Sequence, residues 1–186
     1  RTQINEQGRH MILRRLLDNL QDQLTVYKTV SRQNGFISQI NDLLSDLKKH
    51  DVTPQELRDK ADELEDSILL AGKLKDTATI YEAFNQYLRN KYIDSEDAIN
   101  ALVDRMDEYS YLSGARVWLD GFDYYPPQTL RVIEKLSVMA KELTIAFTLD
   151  PKQKSQGSDL FRVHALSLQK IRAIAKQHNL EERFTN

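Results

Sequence analysis

The sequence predicts a mainly α fold with a small parallel β element, an α/β class in which a helical region precedes one βαβ unit. Three observations predict it. Six glycines and four prolines in 186 residues are under half the usual combined share of roughly 12%, too few for the turns of an all-β sandwich or barrel. Apolar residues recur at three- and four-residue steps through the first two-thirds, the spacing of amphipathic helices. Two short runs rich in β-branched and aromatic residues then flank one helical stripe, the pattern of strand, helix, strand.

Taken in order, Leu13, Leu16, Leu17, Leu20, Leu24 and Tyr27 form the first stripe. A break at Asn34-Gly35 precedes the second: Phe36, Ile37, Ile40, Leu43, Leu44 and Leu47. Thr53-Pro54-Gln55-Glu56 is the clearest helix start. Thr53 can cap, Pro54 suits the first helical position, and Glu56 can bond back to the Thr53 backbone. Leu57, Ala61, Leu64 and Ile68 carry that helix forward. Ile80, Phe84, Tyr87 and Leu88 mark a long helix beginning near Gly72. Asp94 or Ser95 caps a short one bearing Ala98, Ile99, Leu102, Val103 and Met106. Five helices on short polar turns describe an antiparallel array.

After Gly114 the pattern changes. Ala115 to Asp120 reads as a strand ending at Asp120-Gly121, and Pro126-Pro127 opens a helix with Leu130, Ile133, Leu136 and Ala140 on one face. Leu143 to Leu149 is a second strand, ending at Asp150-Pro151. It carries no charge, which suits a parallel strand covered on both faces, so Trp118 and Phe147 are expected to be buried. Residues 152–157 form a loop, and a last helix runs from about 158 to 178. The domains divide as 1–113, helical, and 114–186, the βαβ unit with its final helix. A two-stranded parallel sheet needs either a further strand or helices on both faces. With no initiator Met at Arg1, the chain is expected to be an internal piece of a longer protein.

Composition narrows the chemistry. A net charge of −2 from 26 basic and 28 acidic residues excludes a histone-like protein and an acidic tail alike. Zero cysteines remove disulfides, thiolate zinc sites, cysteine nucleophiles and iron–sulfur ligation. No run approaches the roughly 18 to 20 apolar residues of a membrane span, and the N-terminus lacks the apolar core of a signal peptide. A cytoplasmic location and no membrane partner are expected. The phosphate-loop pattern G-x-x-x-x-G-K-[ST] is absent; Gly72-Lys73 is the one Gly-Lys pair, and Leu74 follows it. His10, His50, His164 and His178 are scattered without the H-E-x-x-H spacing of a zinc helix, and no G-x-S-x-G elbow occurs. The expectation is no catalytic residue, no metal site and no cofactor in this chain.

Two features remain as candidates. Asp120 and Asp150 end the two strands at the carboxyl edge, where open α/β sheets bind ligands. Asp120 reads either as a magnesium-holding carboxylate or, like Asp150, as an ordinary turn residue before Gly or Pro. In the C-terminal part, Lys152, Lys154, Arg162, Lys170, Arg172 and Lys176 outnumber Asp159. They could meet phosphates or form a solvated helix face. Lys170, Arg172 and Lys176 are the DNA-contact candidates. Residues 42–66 are acidic and would repel a duplex. Tyr109, Tyr111, Tyr124 and Tyr125 are read as packing at the helix–sheet junction rather than as a base-stacking platform.

The run VWLDGFDYYPPQTLRVIEKL at 117–136, followed by LTIAFTLDP at 143–151, resembles the B subunit of the bacterial AddAB (RexAB) ATP-dependent helicase–deoxyribonuclease. The stretches at 32–64 and 80–106 are similar too, so the resemblance covers essentially the whole chain. It implies an internal piece of a helicase-like N-terminal half: residues 1–113 like the helical 1B insert, and 114–186 like part of the 1A domain without its phosphate loop. It implies that Asp120-Gly121 stands where working motors of this kind have Asp-Glu, the Asp holding magnesium and the Glu polarising water. Asp150-Pro151-Lys152-Gln153 looks like a remnant of motif III, so Asp120, Gly121, Asp150 and Gln153 would be degenerate relics. For the parent, the resemblance implies ATP, magnesium and an iron–sulfur cluster as cofactors, an AddA-type helicase–nuclease subunit and DNA as partners, and end processing in double-strand-break repair and recombination. The fragment itself would be non-catalytic. Two other functions stay open: an independent nucleotide hydrolase using Asp120, and a helical protein-interaction module.

Overall fold

A computed structural model describes residues 2–64, 66–89, 91–122, 124–148 and 162–184. The chain divides into two compact units, Arg1–Ile99 and Asn100–Asn186. The first holds strand β1 (Thr2–Gln3), helices α1 (Glu6–Leu20), α2 (Asn34–Lys49), α3 (Pro54–Asp62) and α4 (Ile68–Leu88), and strand β2 (Tyr92–Ile93). Helix α5 (Ser95–Arg105) begins in the first unit and ends in the second. The second continues with two short 3-10 turns (Met106–Glu108 and Ser110–Gly114), β3 (Arg116–Leu119), α6 (Pro127–Met139), β4 (Glu142–Ile145) and α7 (Arg162–Gln177). Mainly helical with small parallel sheets is therefore correct. No helix of the described residues is long and apolar enough to cross a membrane.

Local signals explain the helix starts. Asn5 caps α1 by accepting from the Gly8 amide at 2.9 Å. At α3 the capping box forms in full: Thr53 Oγ1 accepts from the Glu56 amide at 3.2 Å, and Glu56 Oε2 accepts from the Thr53 amide at 2.7 Å. Asp94 caps α5, its Oδ1 accepting from the Asp97 amide at 2.9 Å. Asn34-Gly35 does not break the chain; both residues lie in the first turn of α2, behind the N-cap Gln33.

The first unit's core is built from α1, α2, α3 and α4, where Leu13, Ile40, Leu44, Ala78, Ile80 and Phe84 are at most 2% exposed. Each large side chain buried this way contributes about 1.5–3 kcal/mol. Two departures from the sequence pattern are instructive. Helix α1 stops at Leu20, so Leu24 and Tyr27 reach the core from non-helical backbone. The cause is Asp76, itself 3% exposed. Its carboxylate accepts from the amides of Thr25, Val26 and Tyr27 at 2.8 to 3.1 Å and from the Thr25 hydroxyl at 3.1 Å. Those amides find an acceptor on α4 instead of in their own helix. The second departure is β1 pairing with β2 in parallel, Thr2 opposite Tyr92 and Gln3 opposite Ile93. Two residues per strand are too few to show alternation.

A buried charge network ties these parts together. The Arg9 guanidinium donates to Asn41 Oδ1 (2.7 Å), Asp94 Oδ2 (3.1 Å), Glu96 Oε2 (2.9 Å) and Ser45 Oγ (2.8 Å). Lys48 Nζ donates to Asp94 Oδ2 (2.7 Å) and Asp97 Oδ2 (2.8 Å). Arg9, Lys48, Asp94 and Glu96 are 0 to 7% exposed. Both cations lie over the Phe84 ring, at 5.3 and 5.7 Å from its centroid, an arrangement favoured by the negative ring face. Burial raises the Asp97 carboxyl, against the pull of Lys48. Burial likewise pushes the neighbouring Tyr81 phenol up to about 12.

In the second unit β3 and β4 pair in parallel, Arg116 opposite Glu142 and Leu119 opposite Ile145, with α6 between them in sequence. This is the expected βαβ unit, although β4 ends at Ile145, four residues early. Ile133 of α6 and Tyr125 are buried, and α6 packs on α7. Trp118 corrects the expectation of burial: it is 65% exposed. Both strands alternate, with Val117, Leu119, Leu143 and Ile145 half-buried and Arg116, Trp118, Glu142 and Thr144 turned outward. One face of the sheet is thus open among the described residues. Phe147 is half-buried.

Removing Asp94 should expose the cost of that network. Asp94→Ala leaves Arg9 and Lys48 buried without their shared carboxylate, and a loss of about 3–5 kcal/mol in urea unfolding is expected. A loss under about 1 kcal/mol, the range of exposed pairs, would contradict a dry network. At the α3 capping box, the Thr53 amide and then its hydroxyl hold the Glu56 carboxyl below its ordinary 4.5. The charged form is the one the fold favours. Its contribution is therefore complete above 4.5 and disappears as pH falls through the lower folded value. Glu56→Gln should remove that part of the stability–pH curve, measured by denaturation across the acid range.

Candidate functional site

The carboxyl edge of the β3–β4 sheet is the place the sequence singles out. Because the strands are parallel, Leu119 and Ile145 end side by side, and the Leu119 carbonyl accepts from the Ala146 amide at 2.9 Å. Asp120 follows directly and is exposed. Its Oδ1 accepts from the Gly121 amide at 2.8 Å, and Gly121 has φ +78°, a conformation that side-chain-bearing residues avoid. Asp120-Gly121 is therefore built as a turn. A glutamate at 121, the residue a working motor would need by the resemblance, would be strained on this backbone. Asp150 and Gln153, the other candidates at this edge, lie outside the described residues, as do Lys152, Lys154 and Asp159.

Around the turn stands an aromatic group. Tyr125 is fully buried, with its ring 5.6 Å from that of Phe122 and 5.8 Å from that of Phe147. Burial, and then the charge of Asp120, raise its phenol. Phe122 and Tyr124 are 45% and 43% exposed. The reading of the four tyrosines as packing residues is correct for Tyr125 alone. Tyr109 and Tyr111 pair with each other at 5.8 Å and are 43% and 71% exposed. Tyr109 lies between the two 3-10 turns before β3 and Tyr111 on the second of them.

Helix α7 brings the basic candidates. Lys170, Arg172 and Lys176 are all exposed, but they do not share one face. At about 100° per residue, Arg172 and Lys176 neighbour each other while Lys170 stands about 160° from Arg172. Lys170 Nζ lies 5.9 Å from the Tyr124 ring centroid, beside the Asp120 turn. Arg172 pairs with Glu182 at 3.4 Å and lies 4.7 Å over Phe184. At the end of α7, His178 Nε2 meets Glu134 Oε1 at 2.7 Å. Among the described residues, Lys170 is the cation of the three that lies against an aromatic ring next to the Asp120 turn.

Among the described residues, no group of three or more His, Cys, Asp or Glu side chains is placed so that it could hold a metal ion. A magnesium ion at such a site is held by one or two carboxylates together with substrate phosphates. Asp120 supplies one carboxylate, and this chain has no phosphate loop beside it. With zero cysteines the chain offers no thiolate ligand for an iron–sulfur cluster. A concavity of about 450 Å³ lies in the first unit at the Arg9 network, lined by Asn5, Glu6, Arg9, Asn41, Asp42, Ser45 and Ser95 among others. Sequence reasoning missed this network, although a signal existed. Arg9 precedes Leu13 and Leu17 by four and eight residues, and Lys48 follows Leu44 by four, so each charge occupies a core position of its stripe.

Residues 1–186 match the family model described as ADDB, N-terminal. Three similar proteins are named as the B subunit of an ATP-dependent helicase/deoxyribonuclease. The one from Alkaliphilus oremlandii (strain OhILAs) is 44% identical over 179 residues, covering 96% of this chain. That of Alkaliphilus metalliredigens (strain QYMF) is 39% identical over 186 residues and covers 100%. That of Bacillus cereus (strain ATCC 10987 / NRS 248) is 32% identical over 190 residues and covers 97%. In each case the chain spans 16% of the relative's own length.

The turn at the sheet edge is testable. Gly121→Ala should destabilise the second unit by about 1–2 kcal/mol, the cost of a side chain in a left-handed conformation. A neutral result in denaturant titration would show that the backbone relaxes to a negative φ and that the site could take a glutamate.

Proposed function

Because this chain belongs to the ADDB N-terminal family, we propose that it is a non-catalytic part of the B subunit of an ATP-dependent helicase/deoxyribonuclease, serving DNA end processing in double-strand-break repair and recombination. Its work there is to scaffold the helicase-like half and to contact DNA. One observation carries this reading: the chain is covered nearly end to end by relatives of that name while spanning 16% of their length. Residues 1–113 correspond to the helical 1B-like insert and 114–186 to part of the 1A-like domain. ATP, magnesium and an iron–sulfur cluster belong to the parent. An AddA-type helicase–nuclease subunit is its partner.

The non-catalytic assignment is supported by chemistry at Asp120-Gly121. Hydrolysis needs a group that orients the attacking water and a cradle that neutralises the phosphates. Glycine supplies no side chain, and the chain has no phosphate loop. An open sheet face bearing Trp118 supports incorporation into a larger sheet domain, since parallel sheets are ordinarily covered on both faces. DNA contact is supported by Lys170 beside the exposed Tyr124, a cation next to an aromatic face.

The parent gene provides the direct test: a phosphate loop encoded upstream and a nuclease motif downstream are expected, and a reading frame ending at Asn186 would refute the assignment. The isolated chain should hydrolyse no ATP. Magnesium-dependent turnover abolished by Asp120→Ala would establish an independent hydrolase instead. With a net charge of −2, it should bind a labelled duplex no tighter than the weak end of the roughly 10⁻⁴ to 10⁻⁶ M range of non-specific binders. Submicromolar anisotropy titrations at about 200 mM salt would mean that a complete DNA site lies within these residues.

A further inference from the structure

Helix α4 outruns the helix it packs on. Nine residues of α3 face twenty-one of α4, about 13 Å of helix against about 31 Å. Ion pairs fix their antiparallel register, Lys75 with Asp62 at 2.7 Å and Arg58 with Glu82. The stretch of α4 before Lys75 therefore projects past the end of α3. One side of this overhang is closed, because a Cβ on Gly72 would lie 2.6 Å from Val26 Cγ2. The overhang's first turn is exposed and apolar, and the exposed Lys73 follows it. Ile68, Leu69 and Leu70 are 87%, 62% and 46% exposed, whereas Ile80, Phe84 and Leu88 of the same helix are at most 2% exposed. A contiguous exposed apolar patch is ordinarily the contact surface of another element, and α4 is covered over only part of its length.

We propose that the Ile68–Leu70 turn is a docking surface for an apolar element of the remaining polypeptide of the same subunit. The inference rests on the reading of this chain as part of a longer helicase/deoxyribonuclease polypeptide, whose relatives carry most of their length outside the matched region. Size selects the occupant. One helical turn offers far less than the roughly 800 Å² per partner of a stable interface between separate chains. A tethered segment needs no such area, because its effective concentration is of millimolar order. Charge selects its chemistry. At the nearby end of α3 Lys60 pairs with Glu63 and Lys75 with Asp62; the exposed Lys73 adjoins Leu69 and Leu70 on α4, and the contact offered by Ile68, Leu69 and Leu70 themselves is apolar.

Hydroxyl-radical footprinting of the full-length subunit tests this, read by mass spectrometry at Ile68, Leu69 and Leu70. The subunit is labelled alone in native buffer, alone in urea, and in native buffer with its partner subunit. Oxidation several-fold slower in the native subunit alone than in urea is the expected result. Equal rates in all three states would overturn the proposal, because the turn would then be free. Protection that appears only with the second subunit would also overturn it, since the occupant would be another chain. Leu69→Asp in the full-length subunit should raise oxidation at Ile68 and Leu70 and lower Tm; an unchanged Tm and unchanged oxidation would count against it. A gene without further coding sequence would remove the subunit reading itself. With that sequence present and the turn unprotected, only this inference falls.

Discussion

Asp94 accepts hydrogen bonds from two buried cations, and much of the first unit's arrangement depends on that carboxylate. It has no exposure to water, so its charge is tolerable only while Arg9 and Lys48 are in place. Arg9 stands on α1, Lys48 on α2, and Asp94 opens α5 directly after β2. Meeting at one point, they set the relative placement of two helices, the start of a third and the short parallel pairing of β1 with β2. Phe84 of α4 forms the floor beneath both cations. The remaining donors of Arg9 go to Asn41 and Ser45. A guanidinium with its fork satisfied this way is a structural element with little left to offer a ligand.

Asp76 works by the same rule on a different target. Its partners are backbone amides rather than cations, and by collecting three of them it ends α1 and shapes the passage into α2. Both cases put a charged side chain where the helical stripe predicts a Leu or Ile. Asp76, Ile80, Phe84 and Leu88 follow one another at four-residue steps and are all at most 3% exposed. Burial of such groups is costly unless every oxygen and nitrogen finds a partner. Here that requirement selects one arrangement of helices over the many that oily stripes alone would permit.

The second unit has a simpler logic and a more open surface. Its sheet holds two strands of four residues each, with one face under helices and the other bearing Trp118. At the carboxyl edge of that sheet, the Asp120-Gly121 pair forms a turn. The carboxylate bonds the amide beside it, and the following backbone adopts a conformation reserved for glycine. Phe122, Tyr124 and Lys170 are exposed, and the Lys170 ammonium lies 5.9 Å from the Tyr124 ring centroid.

The sequence by itself determined the elements whose causes are local. The Thr53–Glu56 capping box, the Asp94 cap, the α2 and α6 stripes and the parallel strand–helix–strand order all follow from spacing and cap chemistry within a few residues. The Asp-Gly-Phe run and its neighbours also carried the family resemblance. Tertiary structure decided the rest, because the partners are far apart in the chain. Arg9 meets Asp94 across 85 residues and Thr25 meets Asp76 across 51, and no local pattern states which buried charge answers which. The same holds for Trp118. Alternation places it on one of two faces, but which face is covered depends on where α6 and α7 pack, so a residue read as core stands in the open.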